Sequence, residues 1–327
     1  MLIAATGVGA GDLLTGSLAG SAVGLVILWA AAVGAVVKWF LNEGIARWQM
    51  ATGTTLLEGW ATHLGRSIRW IFLGYLIVWT VFVGGALVSA CGIAATALCP
   101  LSDDIGTSKI IWGIIHSFAG VLLVVVGGFR LFERLMGLSI AVMFVTVLTT
   151  AFLIRPDLGE VVRGLTFPTI PEGGLGWVLG LLGGVGGTVT LLSYGYWIRE
   201  VERTGSQGLR ACRIDLALGY ALTAIFGMAM VIIGSRVTLS KGNPNWALDL
   251  ADQLARALGE SGELGRWVFL VGFWGTVASS LLGVWQSVPY LFADFLHLRR
   301  PGIEAERTAI DLTATTSYRV YLVAISV

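Results

Sequence analysis

The chain has 327 residues, of which 56% are hydrophobic and 13% charged, with a mean hydropathy of +0.82 and a formal net charge of +1. Soluble domains carry roughly 25% charged residues, so these figures exclude an ordinary water-soluble globule, and the near-zero charge balance implies no nucleic acid or other polyanion as partner. The 45 glycines and 13 tryptophans fit a chain whose partner is the lipid bilayer, because glycine is common in membrane helices and tryptophan collects at the interfaces.

A helix needs about 20 apolar residues to cross a bilayer. In chain order, residues 1–20 are apolar but interrupted by glycine. Apolar runs follow at 22–41, 70–98, 110–129, 135–154, 175–198, 213–237 and 267–296. Residues 316–327 begin a further run that does not reach full length. The sequence therefore predicts eight crossings and the start of a ninth. Short loops carrying Arg66, Arg69, Arg130, Arg134, Arg199, Arg203 and Arg210 fall on one side. By the positive-inside rule that side is cytoplasmic, and so is the N-terminus. The long segment 236–266 is expected outside, with an amphipathic helix over Trp246–Gly259. Cys91, Cys99 and Cys212 lack any metal-ligand spacing and read as small apolar fillers. Met1–Leu14 carry no basic n-region and their glycines break the apolar run, so no cleavable signal is expected.

Two stretches break the pattern: Thr6-Gly7-Val8-Gly9-Ala10-Gly11-Asp12 in the first run and Gly183-Gly184-Val185-Gly186-Gly187-Thr188 in the sixth. Each glycine costs a helix about 1 kcal/mol against alanine, so clusters of this size favour local unwinding. Unwound backbone inside a membrane is tolerated only where it is buried or lines a cavity. Paired breaks in two halves of a chain point to a transporter binding site, where freed carbonyls and half-helix ends meet an ion. This pattern predicts an all-α membrane protein with the LeuT-like inverted-repeat fold. The first repeat would cover about 1–155 and the second about 172–327, and the chain would hold helices 1–8 and the start of 9, with both ends cut. Gly7, Gly11 and Gly184 are the expected helix breaks. Gly9, Asp12, Gly186, Gly187 and Thr190 are the expected ion-binding positions, with Asp12 and Thr190 supplying side-chain ligands. Thr188, Ser193 and Tyr194 could add oxygens. Gly7/Gly11 and Gly16/Gly20/Gly24 also fit small-residue helix packing, and Asp12 could serve simply as a helix cap. Lys38, Glu43 and Arg47 read as interfacial, with Lys38 snorkelling toward water and Glu43–Arg47 paired across one turn, and a salt bridge at a gate is the alternative.

Taken in order, Gly9-Ala10-Gly11-Asp12 with Thr15 and Ala19-Gly20, Ala51-Thr52-Gly53 with Leu57-Glu58, Phe167-Pro168-Thr169-Ile170-Pro171, and Ser279-Ser280 with Gln286 through Phe295-Leu296 resemble the Nramp divalent-metal transporter family over nearly the whole chain. The resemblance implies a multi-pass cell-membrane protein that moves a divalent cation by alternating access. It also marks departures. The family's metal-binding Asp falls on Gly9, its neighbouring Asn on Asp12, and its Met-Pro-His motif on about Thr190-Leu191-Leu192. The third helix, Ile71–Ala97, lacks the family's acidic residues. One carboxylate with hydroxyls and carbonyls suits a hard ion such as Mg²⁺, or Mn²⁺, better than a soft one. A carrier of a small organic solute and a non-transporting membrane sensor or subunit stay open as alternatives. No resident cofactor is expected. No enzymatic constellation is visible.

Overall fold

In a computed structural model of the chain, the described residues are 9–184, 189–238, 246–257, 259, 262–297 and 312–326. Among them every regular element is helical. The chain runs through α1 (Ala10–Val23), a 3₁₀ turn (Gly24–Ile27), α2 (Leu28–Thr52), α3 (Leu56–His63), α4 (Gly65–Leu98) and α5 (Ile105–Leu153). It continues through α6 (Leu158–Thr166), α7 (Leu175–Gly184), α8 (Thr190–Glu200), α9 (Gly205–Gly234), α10 (Trp246–Ala257) and α11 (Gly262–His297). A 3₁₀ turn (Leu312–Ala314) and α12 (Thr316–Ser326) complete it.

The first two helices form a hairpin against α9. Along α1, Gly16 meets Met230 and the Ser21 hydroxyl donates to the Val237 carbonyl at 2.8 Å. Along α2 the order is opposite: Ala31 lies 3.5 Å from where a side chain on Gly227 would start, Asn42 reaches Tyr220, and Glu43 reaches Arg213. The chain therefore reverses at the 3₁₀ turn, where Gly24 takes a φ of 71° that L side chains avoid. A Cβ on Gly20 would run into the Val231 carbonyl, and one on Gly234 into the Ser17 carbonyl. These small residues let α1 and α9 touch backbone to backbone, the usual device where lipid supplies no hydrophobic drive between helices.

The expected fourth and fifth crossings lie in one helical stretch, α5. His116 bonds Trp274 at 2.8 Å, while the Ser139 carbonyl lies 3.6 Å from a Cβ built on Gly275. A straight helix would separate 116 and 139 by about 35 Å, so α5 folds back on itself and both arms lie along α11. Arg155, at φ 50°, ends the second arm, and Asp157 caps α6 through the Gly159 and Glu160 amides. The predicted amphipathic helix appears as α10, with Ala247, Leu250 and Leu254 buried and Arg266 bonding Asp252.

By length and composition, five helical stretches among the described residues can cross a membrane, or six if one bent pair counts as a single span. That is fewer than the eight expected because α7 and α8 are short, helical backbone continues through the 24–27 reversal, and the second arm of α5 counts only as half of the bent pair. Large apolar side chains, including Phe82, Phe118, Val126 and Phe152, stand exposed around the bundle. In water such a surface would be an aggregation hazard; in lipid it is the natural exterior.

Candidate functional site

The site is assembled where α1 begins and α7 ends. Gly9 precedes α1 in extended conformation, and its N–H donates to Asp12 Oδ2 at 3.1 Å. That bond uses one carboxylate oxygen as a helix cap and places the acid in the first turn, where the positive end of the helix dipole favours a negative charge. Asp12 is only 4% exposed. A Cβ on Gly9 would sit 2.9 Å from Ser280 Oγ, so the start of α1 is pressed against the middle of α11 with no space for a side chain. Gly11 is an exposed residue in the first turn of α1, and a Cβ there would meet none of the described residues within 4 Å.

Facing Asp12 is Lys38 of α2, 7% exposed. The lysine is not snorkelling to an interface. Its Nζ donates to the Gly183 carbonyl at 3.1 Å, in the last turn of α7, and it interacts electrostatically with Asp12. The carbonyls of a helix's last turn lack intrahelical partners and carry the negative end of its dipole. One turn further along α2, Asn42 donates from Nδ2 to Tyr220 Oη at 2.7 Å, and its Oδ1 has no hydrogen-bond partner. Asp12, Lys38, Asn42, Tyr220 and the Gly183 carbonyl thus come from α1, α2, α9 and α7.

Of the remaining expected positions, Gly7, Gly186, Gly187 and Thr188 lie outside the described residues. Gly184 is the last residue of α7, and Thr190 is the first of α8. Ser193 is buried, with its hydroxyl directed to the Val189 carbonyl at 3.5 Å. Tyr194 is not a site oxygen: its hydroxyl donates to the Cys212 carbonyl and lies 3.5 Å from Arg203. Among the described residues no three His, Cys, Asp or Glu side chains gather as a metal cluster. A cavity of about 580 Å³ beside α8 is a separate feature, lined by apolar side chains such as Leu41, Trp60, Phe72 and Leu191. It offers no ligand to a cation.

A second charged layer closes one end of the bundle. Glu43 is paired with Arg47 (2.5 Å) and Arg213 (2.7 Å), tying α2 to α9. Glu58 caps α3 by accepting from the Thr55 amide at 2.6 Å and is also paired with Arg199 of α8. Tyr196 donates to Asp294 of α11 at 2.6 Å, and Tyr290 donates to Glu200 at 3.2 Å. Arg203 pairs with Asp215 at 3.3 Å. At the opposite end Asp104 caps α5, and the Thr107 hydroxyl and amide bonds hold its carboxyl below the usual range. That is the role of an ordinary turn.

Sequence reasoning missed Lys38 as a member of the site, and it missed the Glu58–Arg199 and Tyr196–Asp294 links. The signal for Lys38 was present: an ionisable residue inside the apolar run 22–41. Such a residue is by default a functional candidate. The other two pairs join residues 141 and 98 positions apart, which no local pattern reports.

Residues 1–326 match the profile of a family described as natural resistance-associated macrophage protein-like, Nramp. A divalent metal cation transporter, MntH, of Chromohalobacter salexigens is 24% identical over 291 residues, which are 84% of this chain and 65% of the relative. The chain thus spans just under two thirds of that relative's length. Crystal structures of the Eremococcus coleocola manganese transporter share the fold. One, with an aromatic bis-isothiourea compound, superposes with a TM-score of 0.71 at 18% identity, covering 99% of this chain and 68% of the transporter. A mutant of the same transporter gives 0.70 at 20% identity, covering 99% and 73%.

Proposed function

Because the chain belongs to the Nramp family, and its helices have the LeuT-like arrangement of the manganese-transporter structures, we propose that it moves a hard divalent cation, Mg²⁺ or Mn²⁺, across the cell membrane by alternating access. The observation that carries this reading is Asp12: a buried carboxylate at the start of a short helix, beside the end of a second short helix. One of its oxygens is spent on the Gly9 amide. The other can meet an ion together with backbone carbonyls and the Asn42 amide oxygen. Oxygen ligands with no thioether or thiolate favour Mg²⁺ or Mn²⁺ over softer ions. Thr190 completes the proposed ligand set from the start of α8.

The charged layer gives the alternating step a physical form. Its pairs join α2 to α9 and α3 to α8, so they hold that end shut. Opening it requires exchanging those pairs for water. The arginine-rich short loops support a cytoplasmic position for this end, with the N-terminus on the same side. The state described is then closed toward the cytoplasm.

The test is ion flux into liposomes containing the chain. Wild type is expected to move Mg²⁺ or Mn²⁺, and Asp12→Ala to reduce flux to the level of empty liposomes. Unchanged uptake kinetics in Asp12→Ala would remove the proposal. The pairing of a carboxylate with an ammonium favours a second reading, a small organic solute bearing both charges. Amino-acid flux without metal flux in the same liposomes would select it.

A further inference from the structure

We propose that Lys38 is a tethered counter-cation: its ammonium holds the place of the transported ion between Asp12 and the end of α7, and the ion must displace it to bind. This inference rests on the cation-transport reading above and adds what sets the site's affinity.

The geometry carries it. A cation is best accommodated at the C-terminal end of a helix and beside a carboxylate, and Lys38 has one of each among its neighbours. Its Nζ bonds the Gly183 carbonyl at 3.1 Å, and its charge acts on Asp12. Both side chains are more than nine-tenths buried. An isolated carboxylate in such surroundings is strongly disfavoured, and a buried partner of opposite charge is the usual remedy. With Lys38 nearby, the cost of a buried Asp12 carboxylate is lowered, though not removed, while no ion is bound. A divalent ion arriving beside a fixed ammonium would be repelled by it, the more so because the medium screens poorly. Binding then requires the lysine's four-carbon stem to swing its ammonium off the Gly183 carbonyl. That movement returns the carbonyl to the ion, next to the carboxylate and the unpaired Asn42 Oδ1. The two occupants are mutually exclusive, so the lysine holds affinity down and lets the ion leave again.

The proposal predicts a gain where structural damage would give a loss. Lys38→Gln keeps a donor for the Gly183 carbonyl and removes the charge. Titrated with MgCl₂ and with MnCl₂ by calorimetry in detergent, it is expected to bind at least about tenfold more tightly than wild type, a difference of about 1.4 kcal/mol. Lys38→Arg, which keeps the charge, is expected to show no such gain. Wild type gives an independent readout: saturating Mg²⁺ should raise reductive methylation of Lys38, measured by peptide mass spectrometry, while Lys109 serves as the internal control. Tighter binding in Lys38→Gln together with ion-dependent labelling supports the inference. Binding in wild type with equal or weaker affinity in a folded Lys38→Gln overturns it and leaves the cation reading standing. Should Lys38→Gln fail to fold, absence of ion-dependent labelling in wild type overturns it in the same way. No binding of either ion by folded wild type and folded Lys38→Gln overturns the cation reading, and this inference with it.

Discussion

Two charged layers lie along α2, about 7.5 Å apart by helix rise from Lys38 to Glu43, and they differ in kind. In the first, an aspartate in the opening turn of α1 and a lysine in the middle of α2 are both buried, and the lysine bonds a carbonyl in the last turn of α7. In the second, Glu43 is buried but its arginines are 64% and 49% exposed, and the pairs reach into loops and neighbouring helices. A half-exposed arginine can trade its carboxylate for water at little cost. A buried pair cannot be opened without leaving a charge stranded. The outer layer is therefore suited to open and close. The inner one is suited to bind, because only another charged species can relieve it.

The comparison breaks first at Asp12, where Asp12→Ala should eliminate flux while leaving the outer layer intact. Next in size is Glu58→Gln. Glu58 is 5% and Arg199 27% exposed, so this is the most buried pair of the outer layer. Its loss should cost about 2 kcal/mol, below the usual range for a fully buried pair because Arg199 is partly solvated and Asp294 remains within its electrostatic reach. Thermal unfolding in detergent measures this, and a cost near zero would place Glu58–Arg199 with ordinary surface pairs. Glu43→Gln should cost less, about 1 kcal/mol, since both of its arginines keep access to water. The smallest effect is that of salt. Raising ionic strength to about 1 M shortens the screening length to about 3 Å, which should narrow the stability gap between wild type and Glu43→Gln while leaving the ion affinities of Lys38→Gln and wild type as far apart as at low salt. A parallel collapse of both differences would mean that the two layers are equally exposed.

The small-residue spacing of the first apolar run was legible to different depths along its length. At Gly16 and Gly20 the spacing reports packing, and α1 does press against α9 there. Gly24 has the same spacing, yet it makes the reversal and meets no neighbour. Composition cannot tell those roles apart, because each is decided by what stands opposite. Asp12 stood out because a lone acid in an apolar run has one physical meaning, high cost, wherever the chain folds. Tyr194, two positions from Leu192 in the same helix, could by sequence add an oxygen to the site, but it turns toward Cys212 and Arg203. Helical spacing gives a side chain's angle about its own axis, and the identity of its neighbour comes from other helices.

Hydropathy by itself determined that this chain is helical and lives in lipid, since backbone polar groups in a bilayer must be satisfied within each segment and helices do that locally. It also determined that the first apolar run carries a costly acid among glycines. Tertiary structure alone decided that Lys38 faces that acid and that Glu58 meets Arg199 across 141 residues. Those meetings depend on how α1, α2, α7 and α9 cross, and crossing is set by the summed shape of many side chains, which no single stretch of sequence contains.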